Sequence, residues 1–427
     1  MDVARRAAVQ AAAAVDSGAF SDVALDRALR ASDVREEDRR RTTELFYGIL
    51  RWQGRADWTL RAISHRALVT MDPVVKAALR CGFVEMKLLD HPAYAVVSAL
   101  VQVAKELDER ASGMVNAILR KLSDQGEREL PRDPVEALAI TESHPKWLVE
   151  RWVHSIGLDR ARAWCQWANQ RPDLGIRVNR RRGSRDDYLA SHFLPAAEKS
   201  PLSEAALALP PTPVRRLPGF ADGWLSVQGI GSQVATDAVP LTPGTHVADV
   251  CCGRGTKALA LLERGEGITL LAADTDRRAL ARIPEEAERL QVEGLDCRAM
   301  DARHPPEDVK GTFATVLVDA PCSGLGTLRR HPEIRWRRRP VDLLRNGELQ
   351  EEILSGAATL VEKGGHLVYT VCTTEPEETR RVRRSFLASH EDFRSEDFPG
   401  GERGERLLVP DRDGCEGFYV ALFTKKG

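Results

Sequence analysis

Through roughly the first 125 residues, apolar side chains pair off at helical steps, as Leu25 with Leu29, Leu45 with Ile49 and Leu60 with Ile63. Strand-like alternation is rare there, so the stretch predicts consecutive helices and an all-helical domain. The alanine-rich run Ala7 to Val15 follows Arg5 and Arg6 and is interrupted by Gln10, which predicts an amphipathic helix rather than a secretory signal. A polar stretch from Ser123 to Arg132, with Pro131 and Pro134 at its exit, closes the domain. From His144 to Gln228 the pattern is mixed. It is helical through Trp147, Trp152 and Trp164, then strand-like at Gly175 to Val178, then rich in proline at Pro210, Pro211 and Pro213. From about Gly231 short apolar runs alternate with helical segments, the pattern of a parallel sheet with crossover helices. The predicted strands are Thr245–Val250, Ile268–Ala273, Asp296–Met300, Thr315–Val318 and His366–Val371, with Phe418–Phe423 as a last one. We therefore expect an all-helical domain over 1–130, a small α+β linking domain over 131–230 and an α/β domain over 231–427.

The first five of these strands each end on a residue capable of chemistry: Cys251 with Cys252, Asp274, Asp301, Asp319 and Cys372. Ligands of an open α/β sheet bind at the carboxyl ends of its strands, so these residues are expected to converge on one crevice. In the first turn, Cys251-Cys252-Gly253-Arg254-Gly255-Thr256-Lys257, the glycines allow backbone to approach a ligand before a helix begins. Asp274 follows about 20 residues later, where a carboxylate can accept both hydroxyls of a ribose. Together these describe a site for an adenosine moiety. The loop alone also fits a loose dinucleotide fingerprint, and a nicotinamide oxidoreductase is the alternative it leaves open.

The composition narrows the setting. At 43% hydrophobic the chain has ample material for packed cores, and its formal net charge of -1 argues against a protein that coats nucleic acid indiscriminately. Local charge differs: seven arginines lie between Arg329 and Arg345 and six between Arg171 and Arg185. Beside a catalytic motif such clusters point to phosphate contacts as readily as to a solvated face. None of the eight cysteines pairs at Cys-x-x-Cys spacing, so neither a disulfide framework nor a metal site is expected. Cys81, Cys165, Cys252, Cys297 and Cys415 read as small buried hydrophobes. No run approaches the ~18 apolar residues of a membrane span, and the expected compartment is the cytoplasm.

The rest of the sheet carries Asp319-Ala320-Pro321-Cys322-Ser323-Gly324 and Tyr369-Thr370-Val371-Cys372-Thr373. Carbon 5 of cytosine is too weak a nucleophile to attack a methyl sulfonium until another nucleophile adds at carbon 6. A thiolate suits that step because sulfur attacks well and later leaves by elimination. Its proton must be lost at or before attack, since a free thiol titrates near ~8.5. A base must then remove the carbon 5 proton, so one cysteine can start the cycle and a second can help end it. Asp319 is placed to bond the cytosine amine and ring nitrogen as the adduct forms. Spacing does not say which cysteine takes which part.

At these residues the chain resembles the RsmB/Nop2/Sun family of RNA cytosine-C5 methyltransferases. The resemblance covers nearly the whole chain and includes the motif at 319–324, the following Gly326-Thr327-Leu328-Arg329-Arg330-His331-Pro332-Glu333, and Thr370-Val371-Cys372-Thr373. Upstream, Glu44 to Trp52 and Gly113 to Lys121 resemble the NusB-like helical domain found in one branch of the family, and His144 to Leu148 the opening of its linking region. The resemblance implies a Rossmann-like methyltransferase domain with an antiparallel last strand and S-adenosylmethionine as cofactor. It implies 16S (small-subunit) ribosomal RNA as substrate and RNA recognition by the helical domain. Cys372 is then the residue that attacks carbon 6 and Cys322 the one that assists release. Cys251 to Lys257 form the cofactor loop, Asp274 holds the ribose, Asp301 faces the adenine edge and Asp319 stands beside the target base, with Lys257 counted among the catalytic groups too. Where the family loop has Pro-Gly-Gly-Lys, this chain has Arg254-Gly255-Thr256-Lys257. A self-contained crevice demands no partner subunit, so a monomer is expected. The alternative of another class is a non-catalytic RNA-binding or ribosome-assembly factor.

Overall fold

The computed structural model of the chain describes residues 2–31 and 34–427. It contains two compact units, one of residues up to Gln170 together with His331–Arg337, the other of Arg171–Arg330 with Arg338–Gly427. No helix among the described residues is long and apolar enough to cross a membrane.

Helices build the first unit: α1 (Val3–Asp16), α2 (Ser21–Ala31), α3 (Glu36–Arg51), α4 (Gln53–Ile63), α5 (Pro73–Lys87), α6 (Ala93–Leu107) and α7 (Ser112–Gln125). Three more follow, α8 (Pro134–Thr141), α9 (Lys146–Ile156) and α10 (Leu158–Asn169). The expectation of an amphipathic α1 is corrected. Its alanines and valines are buried on nearly every face, and Gln10 is its one exposed residue. Small side chains let α2, α3, α5 and α6 all pack against it, so it is the central helix. Two buried arginines tie the bundle. Arg5 forks onto Glu85 at 2.7 and 2.6 Å, and Arg80 bonds both Asp16 and Asp57.

The second unit opens with a small antiparallel sheet of β1 (Leu174–Val178), β2 (Glu198–Lys199), β3 (Ala206–Leu209) and β4 (Leu225–Val227), in the order β2-β3-β1-β4. An eight-stranded sheet follows, made of β5 (His246–Asp249), β6 (Thr269–Asp274), β7 (Leu295–Ala299), β8 (Phe313–Asp319), β9 (Val361–Val371), β10 (Phe393–Ser395), β11 (Glu405–Leu408) and β12 (Phe418–Lys425). Its order is β10-β12-β9-β8-β5-β6-β7, with β11 paired to β12. β5 to β9 pair in parallel, whereas β12 runs antiparallel to β9.

Successive strand residues feed opposite cores, as period-2 geometry requires. Val247, Leu270, Leu317, Val368 and Val420 pack with the helices Ile230–Asp237, Thr256–Arg264 and Ile283–Leu290. Ala248, Leu271, Val316, Tyr369 and Ala421 pack with Pro340–Ala358 and Arg380–Ser389 on the other face. The chain moves outward from β5 through β6 to β7 and then returns to place β8 on the far side of β5. That reversal opens a crevice at the carboxyl ends of β5 and β8.

Candidate active site

Strand register brings the two motif cysteines together. Asp319 of β8 pairs with Thr370 of β9, and the next rung is an Ala320 amide donating to the Thr370 carbonyl at 3.0 Å. Beyond it the chains separate into loops carrying Cys322 and Cys372, whose sulfurs lie 3.3 Å apart. Gly326 holds the first loop down: its amide donates to the Cys372 carbonyl at 3.0 Å and its own carbonyl accepts from Gly417 at 3.1 Å. A Cβ at position 326 would stand 2.0 Å from the Gly417 oxygen, so the close approach needs glycine.

The two sulfurs have different surroundings. Cys372 is pulled below the ordinary thiol range by the hydrogen bond from Cys322 and by the cations Lys257 and Arg330, against burial and Asp319. Cys322 is pushed well up by donating that bond, by burial and by the carboxylate of Glu378. The asymmetry therefore has external causes as well as the shared proton, and it leaves Cys372 as the more acidic sulfur.

Lys257, in the first turn of the helix Thr256–Arg264, is buried, with Nζ 2.5 Å from Asp319 Oδ2 and 5.3 Å from the Phe418 ring centroid. Asp319 holds the ammonium charged despite the burial.

A cavity of about 500 Å³ opens beside this pair, a size suited to a cofactor. Cys251, Asp274, Asp301 and Asp319 line it, with Met300, Leu349 and Ile353 as apolar wall. The structure thus gathers four of the sequence-picked residues on one cavity. Asp274 also shapes the loop, since its Oδ2 accepts from the Gly253 amide and its Oδ1 from Asp276, each at 2.8 Å. Asp301 is held by a fork from Arg303, with Nε at 3.1 Å and Nη2 at 2.7 Å. Gly255, at φ +76°, starts the helix from the left-handed region, and its amide donates to the Cys252 carbonyl at 2.8 Å. The remaining loop positions are not on the cavity wall. The Cys252 side chain is buried in the core, Arg254 points to solvent, and the Thr256 carbonyl accepts from Arg177.

Three groups of consequence escape sequence reasoning. Arg177 of β1 is buried and forks onto Glu263 at 2.8 and 2.6 Å, bracing the helix that carries Lys257. Asp249 is fully buried at the end of β5, and neither carboxylate oxygen has a hydrogen-bond partner of normal geometry among the described residues. Burial and the nearby Asp319 push its carboxyl up to about 7, against a downward pull from Lys257. The acid inside the apolar run Val247 to Val250 was the available signal. Glu378, also fully buried, carries no signal in its surface-like Glu375-Pro376-Glu377-Glu378 context.

The arginine clusters turn out to be largely structural. Arg335 is wholly buried and donates to Asn169 Oδ1 and to the carbonyls of Ser143 and Ala168. Arg181 and Arg185 likewise bond backbone carbonyls, and Arg338 donates to the Ser323 carbonyl at 2.8 Å. Guanidinium groups spent this way are not free for phosphates, which corrects that expectation for these four arginines.

The doubly wound sheet, with an acid-lined cavity at its switch point, puts the second unit among the Rossmann-like methyltransferases. The chain belongs to the family described as 16S rRNA methyltransferase RsmB/F, whose model matches residues 238–424. The NusB family model matches 2–124, and the ferredoxin-like domain of RsmF/B-like methyltransferases matches 144–211. Ribosomal RNA small subunit methyltransferase B of Pseudomonas putida is 36% identical over 436 residues, covering 99% of this chain and 98% of that protein. The crystal structure of PH0851 matches with TM-score 0.86 at 27% identity, covering 100% of this chain and 99% of that one. A methyltransferase homologue from Pyrococcus horikoshii shares the fold at TM-score 0.60 and 24% identity, over 69% of this chain and 100% of that chain.

Proposed function

We propose that the chain methylates carbon 5 of a cytosine in small-subunit ribosomal RNA, taking the methyl group from S-adenosylmethionine. The observation that carries this reading is the 3.3 Å contact between two cysteine sulfurs at adjacent strand ends, beside an acid-lined cavity. The cavity suits an adenosine-bearing cofactor because Asp274 would offer a carboxylate to ribose hydroxyls, Asp301 a second one to the base, and Met300, Leu349 and Ile353 an apolar surface. S-adenosylmethionine, when bound, supplies an electrophilic methyl. The helical domain is the part we assign to RNA recognition.

Cys372, the more acidic sulfur, adds to carbon 6 of the ring and makes carbon 5 nucleophilic. Asp319, fixed by Lys257, accepts a hydrogen bond from the cytosine amine and orients the ring, and the Lys257 ammonium beside it offsets the negative charge as the ring becomes an adduct. Once the adduct has consumed the Cys372 thiolate, Cys322 releases its own proton to solvent and, as a thiolate, takes the carbon 5 proton of the methylated ring; the Cys372–carbon 6 bond then breaks and both sulfurs return to their starting protonation. Incubation with labelled S-adenosylmethionine and 16S RNA, followed by nucleoside analysis, is expected to give 5-methylcytosine. Label on another base position, or none, contradicts the reading.

A further inference from the structure

Beneath the two cysteines lies a layer of buried polar side chains that the mechanism above leaves unused. Glu378 Oε1 accepts from the Ser323 amide at 2.7 Å, Asn346 Nδ2 at 2.9 Å and Gln350 Nε2 at 3.2 Å. Its Oε2 is buried with no partner among the described residues. Ser323 follows Cys322 and Thr373 follows Cys372, and the Ser323 hydroxyl donates to Thr373 Oγ1 at 3.1 Å. Three N–H donors on one oxygen are the surroundings of a carboxylate rather than of a neutral acid. A charge buried with one bare oxygen is costly, and apolar packing would have been cheaper.

We propose that Glu378 is a positioning residue that decides which sulfur of the pair holds the proton. Its carboxylate disfavours negative charge on Cys322, keeps that side chain a thiol donating to its neighbour, and so leaves the thiolate on Cys372. The inference rests on reading Cys372 as the attacking sulfur. The charged and titratable surroundings of the two sulfurs differ, with one opposing contribution on each, from Asp319 on Cys372 and from the Gly324 amide on Cys322. Lys257 and Arg330 favour a thiolate on Cys372, with Asp319 opposing them. Cys322 faces Glu378 and the Gly324 amide. Glu378 itself faces Ser323, then Asn346 and Gln350 from the helix Pro340–Ala358, and its carbonyl accepts from the Tyr369 hydroxyl of β9 at 2.6 Å. Glu351 is the further acid acting on Tyr369.

The test uses the full chain without RNA or cofactor, so it can fail independently of the methylation assay. Limiting iodoacetamide is added and the two cysteine peptides are quantified by mass spectrometry. The wild type is expected to label first at Cys372. Glu378→Gln keeps an oxygen acceptor and removes the charge, and the Cys372-to-Cys322 ratio is expected to fall about tenfold. Glu378→Asp, which keeps the charge, is expected to hold the ratio. An unchanged ratio in a Glu378→Gln protein that melts like the wild type overturns the proposal, as does Cys322-first labelling in the wild type. Should Glu378→Gln not fold, the wild type alone decides. Burial raises the Glu378 carboxyl above its ordinary range, so lowering the pH from about 8 to about 5 begins to neutralise it. The pH dependence of the ratio is expected to be steeper in the wild type than in Glu378→Gln over that interval, and equal profiles overturn the proposal.

Discussion

Lys257 Nζ stands 2.5 Å from Asp319 Oδ2, and the same ammonium is one of the cations that draw the Cys372 proton off. One buried charge thus serves two groups, orienting the acid at the end of β8 and acidifying the thiol at the end of β9. Lys257→Met keeps most of the stem and removes the charge. Its Cys372 alkylation profile is expected to move to higher pH, and methyl transfer is expected to fall about 100-fold. An unmoved alkylation profile would separate Lys257 from the thiol.

Gly326 supports the motif loop through backbone alone. A methyl group there meets the Gly417 carbonyl at 2.0 Å and the Cys372 carbonyl at 2.9 Å, and neither is a flexible side-chain end. Gly326→Ala is expected to cost about 1–3 kcal/mol of stability and to separate the two sulfurs. Gly113 is a control, because a Cβ there meets nothing within 4 Å near the start of α7. Gly113→Ala is expected to change stability by less than about 1 kcal/mol, in the favourable direction. Chemical denaturation measures both, and equal effects would contradict the packing argument.

Asp249 gives a pH dependence with a definite sign. Its folded carboxyl, at about 7, lies above its unfolded value of 3.8, so the folded state binds the extra proton between those limits. Stability from this group is present below about pH 4 and is lost as pH rises to about 7. The full swing is on the order of 4 kcal/mol. Asp249→Asn lacks this slope, so relative to the wild type it is expected to gain stability between about pH 4 and about pH 8. Denaturant melts at the two pH values check it. A wild-type-like slope in the variant assigns the effect elsewhere.

Much of this fold is legible in the sequence because its signals are periodic. Apolar runs predict the five parallel strands, and their chemical residues stand where a strand must end, so Cys251, Asp274, Asp301, Asp319 and Cys372 are legible as site candidates in the sequence. What escaped is burial without periodicity. Glu378 and Arg335 read as surface charges because their partners are distant in sequence, namely Ser323 for one and Ser143, Ala168 and Asn169 for the other. The alanines of α1 reveal small size but not that four helices would surround them. Nothing in the arginine runs marks the distant carbonyls that Arg181, Arg335 and Arg338 bond.

The central claim is the division of labour between Cys372 and Cys322, and trapping tests it most directly. Each cysteine is changed to alanine, the variants are incubated with S-adenosylmethionine and 16S RNA, and denaturing gels are scanned for protein that migrates with RNA. Cys322→Ala is expected to accumulate the covalent adduct, because attack and transfer proceed while release is impaired. Cys372→Ala is expected to show neither adduct nor 5-methylcytosine. An adduct in Cys372→Ala and none in Cys322→Ala would reverse the two roles and contradict the account.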